Sequence, residues 1–307
     1  MNIRHILVSR LRFMGDIILT TPVLRNLKQE FPKAHVTFLA ETPFVELLQH
    51  HPFVDEIIGL DRQNSKMPIF LDLLQTRYDV AIDLFGNPRS AVLMWASGAR
   101  MRIGGNFRGR RHLFTHKVQD DGKTKSAIQF HLNYLTPLGI PVKSYDTHIA
   151  ITEDERSWAF TYLQEWGYDI GLPLIAIHPG ASWPAKQWLP ERFAELADRL
   201  ASETHAQVFF TMGPGEQELL DKVLSACTHS FPTPRLLSLR QLAALLALAD
   251  GFVSNDCGPM HLAPAVGTAT IGIFGPGTPE IWFPYREDQG HRLVHHNLDC
   301  SRCNRDF

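Results

Sequence analysis

Short β-rich apolar runs alternate with stretches whose apolar residues recur at helical spacing. No other feature of the 307-residue chain constrains its fold as much. In the first half, residues 5–9, 35–40, 56–60, 79–84 and 100–103 read as strands, and residues 17–30, 44–50, 69–77, 90–97 and 125–138 as helices. The second half repeats the pattern. Strands are expected at 174–178, 207–212, near Leu236, 251–254 and 270–274, with helices at 153–166, 191–202, 216–225, 240–249 and 259–266. Thr152 is placed to cap the first of these helices. Strands joined through helices by short connections predict parallel sheets covered on both faces, hence an α/β chain of two doubly wound domains. Pro141, Gly167, Gly171 and Pro173 punctuate the middle, so the division is expected at 1–150 and 151–307. Ligands of such domains bind at the carboxyl ends of the strands.

Composition removes several classes. The chain is 44% apolar and 20% charged, which suits a folded protein and not a disordered one. No apolar run approaches the ~20 residues that span a bilayer. The N-terminus lacks the long apolar run and small-residue cleavage site of a signal peptide. Four cysteines, Cys227, Cys257, Cys300 and Cys303, are too few for a disulfide framework, so a cytoplasmic, reducing location is expected. Cys300 and Cys303 have the spacing of a metal half-site but no second pair to complete it; neither metal nor cofactor is expected. The net charge of −2, with no recognised binding module, argues against a nucleic-acid partner. That total hides an asymmetry: residues 1–150 hold 19 Lys/Arg against 13 Asp/Glu, and residues 151–307 hold 11 against 19. The first half is therefore the one suited to an anionic partner.

Four segments carry chemistry. In 9–22, a strand ends, Gly15 turns the chain, and Asp16 stands at the mouth of the next helix. A carboxylate there serves either as a general base at the sheet edge or simply as a helix cap. In 177–188, a strand runs into a loop bearing Gly180, Ser182 and Lys186; backbone amides, a hydroxyl and an ammonium together suit a phosphate, while the plain alternative is a solvated surface loop. In 251–263, a strand ends at Asn255 and Asp256, Gly258 permits close backbone approach, and Pro259 suits a first helical turn with His261 just inside it. The unpaired amides of that helix start form an anion site. The fourth segment, between Asp83 and Asp120, has no acidic residue but contains Arg89, Arg100, Arg102, Arg108, Arg110, Arg111 and Lys117. A one-sign cluster either forms a solvated face or binds phosphate or carboxylate groups.

Taken in order, Met14-Gly-Asp16 with Thr20-Thr-Pro22, His178-Pro-Gly180 with Lys186 and Trp188, and Asn255-Asp-Cys-Gly-Pro-Met-His-Leu262 followed by Phe274-Gly-Pro276 resemble the ADP-heptose:lipopolysaccharide heptosyltransferases of glycosyltransferase family 9. The resemblance covers essentially the whole chain. It implies a GT-B architecture, two Rossmann-like domains facing across a cleft, with the acceptor on the N-terminal side and a nucleotide-sugar on the C-terminal side. It implies Asp16 as the catalytic base of an inverting transfer without a metal. Ser182, Lys186, Glu216, Asp256, Cys257, Gly258 and His261 become the residues expected to hold an ADP-sugar donor. The arginines Arg89, Arg108, Arg110 and Arg111 fall where an anionic glycolipid acceptor is expected, with peripheral contact at the cytoplasmic face of the inner membrane. No apolar anchor is visible, so that contact is expected to rest on charge.

Two departures from the family pattern stand out. Cys257 replaces the usual Ser or Thr, exchanging a good hydroxyl donor for a weak thiol. Family members also continue past the Cys-x-x-Cys, so the chain is expected to be truncated. A transferase for another nucleotide-sugar and acceptor, or a non-catalytic protein that binds sugar nucleotides, remains the alternative reading.

Overall fold

The computed structural model describes residues 3–61, 67–119, 121–169, 171–232 and 235–296. Cys300 and Cys303 lie outside the described residues. The chain divides into two compact units, Met1–Ala150 and Ile151–Phe307.

The first unit is built on six parallel strands, β1 (His5–Ser9), β2 (His35–Glu41), β3 (Glu56–Leu60), β4 (Val80–Asp83), β5 (Met101–Gly105) and β6 (His116–Val118). Their order is β3-β2-β1-β4-β5-β6, so the winding reverses between β1 and β4. Central strands of such a sheet are covered on both faces, which is why Ile6, Leu7 and Val8 are all apolar and all fully buried. One face packs Leu7, Leu39, Leu60 and Ala81 against Leu73, Ala91, Leu93 and Met94. These last four come from the helices Met67–Thr76 and Pro88–Ala96, so both helices cover the same face.

The second unit has five parallel strands, β7 (Leu174–His178), β8 (Gln207–Phe210), β9 (Gly251–Asn255), β10 (Ala269–Phe274) and β11 (Arg292–His295). Their order is β11-β10-β9-β7-β8, and the reversal falls between β7 and β9. Ile177, Val208, Phe210 and Val253 of this sheet pack on Phe193, Ala197, Leu220 and Val223. Thr152 caps its helix as expected: its hydroxyl accepts from the Glu155 amide at 3.2 Å, and the Glu155 carboxylate accepts from the Thr152 amide at 2.9 Å.

The structure corrects the sequence expectation at several elements. The single helix expected over 17–30 is two, Met14–Ile18 and Thr21–Glu30. Pro22 has no N–H to give the Ile18 carbonyl, and the Thr21 hydroxyl donates to that oxygen instead, at 2.7 Å. The helix expected at 44–50 is a 3₁₀ helix, Thr42–Leu48. The one expected over 125–138 changes from α, Ala127–Leu132, to 3₁₀, Asn133–Leu138, because Pro137 cannot donate to the Asn133 carbonyl. Among the described residues no strand forms near Leu236, while the short edge strands β6 and β11 were not expected.

Candidate functional site

In the first unit the polar groups gather where the winding reverses. Arg10 directly follows β1, and its guanidinium divides between two acceptors. Nη1 donates to the Leu84 carbonyl at 2.8 Å, and Nη2 donates to Asp16 Oδ1. The same guanidinium lies over the Phe85 ring, 4.9 Å from its centre. Asp16 Oδ2 accepts from the Phe13 amide at 3.1 Å, so the residue does serve the helix start, yet its side chain keeps 17% of its surface open. Asp83, the last residue of β4, is fully buried and accepts from the amides of Phe85 and Gly86 and from the Ser90 hydroxyl, at 2.9–3.1 Å. Burial pushes its carboxyl up to about 6, against the pull of those donors and of Arg10.

The basic stretch separates into distinct roles. Arg102 is occupied by backbone, donating to the carbonyls of Leu113 and Ala99 at 2.8 and 2.7 Å. Arg89 reaches Glu41 at the end of β2, at 3.5 Å. Arg110 stacks on Phe107 at 5.2 Å, and Arg108 and Arg111 are exposed. Phe107 lies flat against Gly86 and Gly105, where an added Cβ would come within 2.2 and 2.4 Å of its ring; the loop is thereby held on the carboxyl edge of β4 and β5. Two helices of this unit also expose apolar side chains. Leu71 and Leu74 on helix Met67–Thr76, and Val92 and Trp95 on helix Pro88–Ala96, are exposed, Trp95 by 53%. Among the described residues no helix is long and apolar enough to cross a membrane.

In the second unit, Lys186 ends the short turn Pro184–Lys186, and its ammonium lies 2.6 Å from Asp256 Oδ2 and 5.4 Å from the centre of the Trp183 ring. Asn255, the last residue of β9, staples the loop in place. Its oxygen accepts from the Trp188 amide at 2.9 Å, and its amide donates to the Pro179 carbonyl at 2.7 Å. Asp256 and Cys257 lead directly into the helix Gly258–Ala265, which Cys257 enters without a side-chain cap bond. Burial pushes the Cys257 thiol up to about 12, which keeps it neutral. His261 is buried, with Nδ1 2.9 Å from the Tyr285 hydroxyl. Burial first, and the Lys186 charge second, hold its ring down to about 3.

Ser182 is exposed on the same loop. Glu216, just before the helix Gln217–Ala226, accepts from the Gly213 amide and lies 3.4 Å from His178 Nε2. Gly180 leaves room for the Glu216 carboxylate, which would have to move if a Cβ were added 2.1 Å away. His178 Nδ1 pairs with the Thr211 hydroxyl at 3.0 Å, and burial lowers its basicity while Glu216 opposes the shift.

The structure thus brings Lys186, Asp256, Cys257, Gly258 and His261 together at one reversal, with Glu216 and Ser182 alongside. It sets Asp16 at the other reversal. The sequence reading passed over Arg10, Asp83 and Tyr285. A carboxylate closing the apolar run Val80–Asp83 was a usable signal for Asp83, whereas nothing local links Tyr285 to His261, 24 residues away.

Residues 69–306 match the sequence model of glycosyltransferase family 9 (heptosyltransferase). Lipopolysaccharide heptosyltransferase 3 of Escherichia coli K12 is 28% identical over 296 residues, covering 91% of this chain and 84% of that one. The crystal structure of a family 9 glycosyltransferase from Veillonella parvula aligns with a TM-score of 0.88 at 27% identity, over 97% of this chain and 89% of that one. The E. coli heptosyltransferase WaaC, solved with ADP-2-deoxy-2-fluoro heptose, shares the fold at a TM-score of 0.75 and 20% identity, over 95% of this chain and 93% of that one. Two Rossmann-like units in sequence give the GT-B fold of these heptosyltransferases. The chain belongs to glycosyltransferase family 9, the heptosyltransferases.

Proposed function

We propose that the protein moves a heptose from ADP-heptose to the lipopolysaccharide inner core with inversion, the second unit holding the donor and the first the acceptor. The observation that carries this reading is the cluster at the β7/β9 reversal: an ammonium, a helix start and a loop stapled by Asn255. An ammonium beside a helix start suits a diphosphate. The names of the family 9 relatives and the ADP-sugar analogue held by WaaC support the choice of donor.

In the transfer, Asp16 accepts the proton of an acceptor hydroxyl as its oxygen attacks the anomeric carbon from the face opposite ADP. The new C–O bond forms as the bond to the diphosphate breaks, and ADP leaves with the electron pair. Lys186 and the amides at Gly258 stabilise the charge that develops on the departing oxygen. Arg89, Arg108, Arg110 and Arg111 hold anionic groups of the acceptor. The same half meets the acceptor's membrane surface through its basic stretch and the exposed rows of Leu71, Leu74, Val92 and Trp95.

The test is release of ADP from ADP-heptose by the purified protein in the presence of an inner-core acceptor. The product should carry the opposite anomeric configuration to the donor. Asp16→Ala should lower turnover by at least ~100-fold while ADP binding is retained. Near-normal turnover in that variant would sink the base assignment. Stronger thermal stabilisation by UDP- or GDP-sugars than by ADP-sugars would replace the donor.

A further inference from the structure

The β1–β4 reversal holds more machinery than a single base requires. The Arg10 backbone is held in the sheet: its amide donates to the Leu39 carbonyl at 3.2 Å, extending β1, while Leu84 donates to the Ser9 carbonyl at 2.9 Å. Its side chain is largely buried, with 14% exposed, and spans the two strand ends. One arm takes the backbone of Leu84, the other takes Asp16, and the flat face rests on Phe85. Only a planar, forked cation satisfies all three contacts; an ammonium on a flexible stem does not. Fully buried Asp83, at the end of β4, attracts the same cation. Of the two carboxylates that attract the guanidinium, Asp83 is closed to solvent and Asp16, which it touches, is partly open.

We propose that Arg10 is a positioning residue for the reaction. It fixes the plane of the Asp16 carboxylate against rotation, so that an acceptor hydroxyl meets it in one orientation. The proposal rests on the reading of Asp16 as general base. Without Arg10, the Phe13 amide remains as a donor to Asp16, and a single bond leaves the carboxylate free to turn. A loss of alignment of this kind acts on turnover and not on donor affinity, and a misplacement near 1 Å costs on the order of 100-fold.

The test uses the full chain with ADP-heptose and acceptor. Arg10→Ala should lower kcat by ~10–100-fold with the KM for donor within about twofold, and millimolar guanidinium should restore part of that kcat. Guanidinium should not restore Asp16→Ala, which has no carboxylate to align. Arg10→Ala strands the buried Asp83 charge and can fail to fold; the double variant Arg10→Ala/Asp83→Asn removes that charge and should show the same fall in kcat. Arg10→Lys keeps the charge but not the fork, and should stay well below the parent. Parental kcat in either the double variant or Arg10→Lys, with Asp16→Ala inactive, overturns the positioning role alone. An active Asp16→Ala overturns the base reading, and this proposal with it.

Discussion

Lys186 and Asp256 show how one ion pair can serve both stability and binding. The ammonium keeps 24% of its surface and the carboxylate 7%, so the pair is partly desolvated before any ligand arrives. Removing the cation alone leaves Asp256 short of its partner, which costs stability irrespective of function. The two effects separate in a pair of variants. Lys186→Met should weaken ADP binding by about 10-fold or more, since a charge-assisted hydrogen bond contributes ~1.5–3 kcal/mol, and should also lower the melting temperature. Lys186→Met/Asp256→Asn should recover the melting temperature but not the ADP affinity. Titration calorimetry decides it: unchanged ADP affinity in both variants would remove Lys186 from the donor site. At this scale the sequence showed which residue types converge but not how they are held. Lys186 and Asp256 were visible as a cation in a glycine-bearing loop and a carboxylate past a strand. Asn255 was visible only as a strand end, though its side chain ties that loop to the sheet. Gly180 was read as part of a loop offering backbone amides, and the sequence did not show that the Glu216 carboxylate packs against it.

At the scale of elements, the central strands were legible because burial on both faces requires unbroken apolar runs. The edge strands β6 and β11 were not, since partial exposure gives them mixed sequences such as Arg292-Leu-Val-His295. The helices failed at prolines that periodicity ignores, Pro22 and Pro137. The helices Met67–Thr76 and Pro88–Ala96 make a further point. Each buries one stripe in the core, through Leu73 and through Ala91 and Met94, yet each also turns an apolar pair outward, Leu71 with Leu74 and Val92 with Trp95. Apolar residues on both faces blur the helical period, so these exposed pairs do not stand out in the sequence. Neighbouring apolar rows on a unit with surplus positive charge suit shallow insertion into an anionic bilayer surface. The protein should float with phosphatidylethanolamine–phosphatidylglycerol vesicles at low salt. Val92→Glu/Trp95→Glu should cut that binding by ~3-fold or more, because apolar burial and charge attraction act together at such surfaces. Unchanged flotation would show that these rows have no part in membrane contact.

For the whole molecule, the charge split between halves could be counted from the sequence, but the groups that govern its response to pH could not, because burial decides them. His51 is held down to about 4 and His261 to about 3, each chiefly by burial, and burial likewise keeps His131 and His178 below the usual range. A histidine buried in its neutral form binds protons more weakly folded than unfolded. Its contribution is present above pH ~6.5 and is lost as pH falls through the folded value, on the order of 3 kcal/mol for His51. Asp83 acts in the opposite sense. Its carboxyl is raised to about 6, so the ionised form is a cost at neutral pH that disappears as pH falls from 6 toward the unfolded value of 3.8. That cost is up to ~3 kcal/mol. Acidification therefore weakens the fold through the histidines while relieving it at Asp83, and the relief is confined to the first unit. Asn can keep the geometry at this position, its oxygen accepting from the Phe85 and Gly86 amides and its amide donating to the Ser90 hydroxyl. Asp83→Asn should therefore raise the melting temperature above pH 6, by an amount that shrinks to nothing near pH 4, and should steepen the loss of stability on acidification. Thermal unfolding of parent and variant across that range measures both slopes. Parallel curves would mean that Asp83 does not change its protonation within the folded protein.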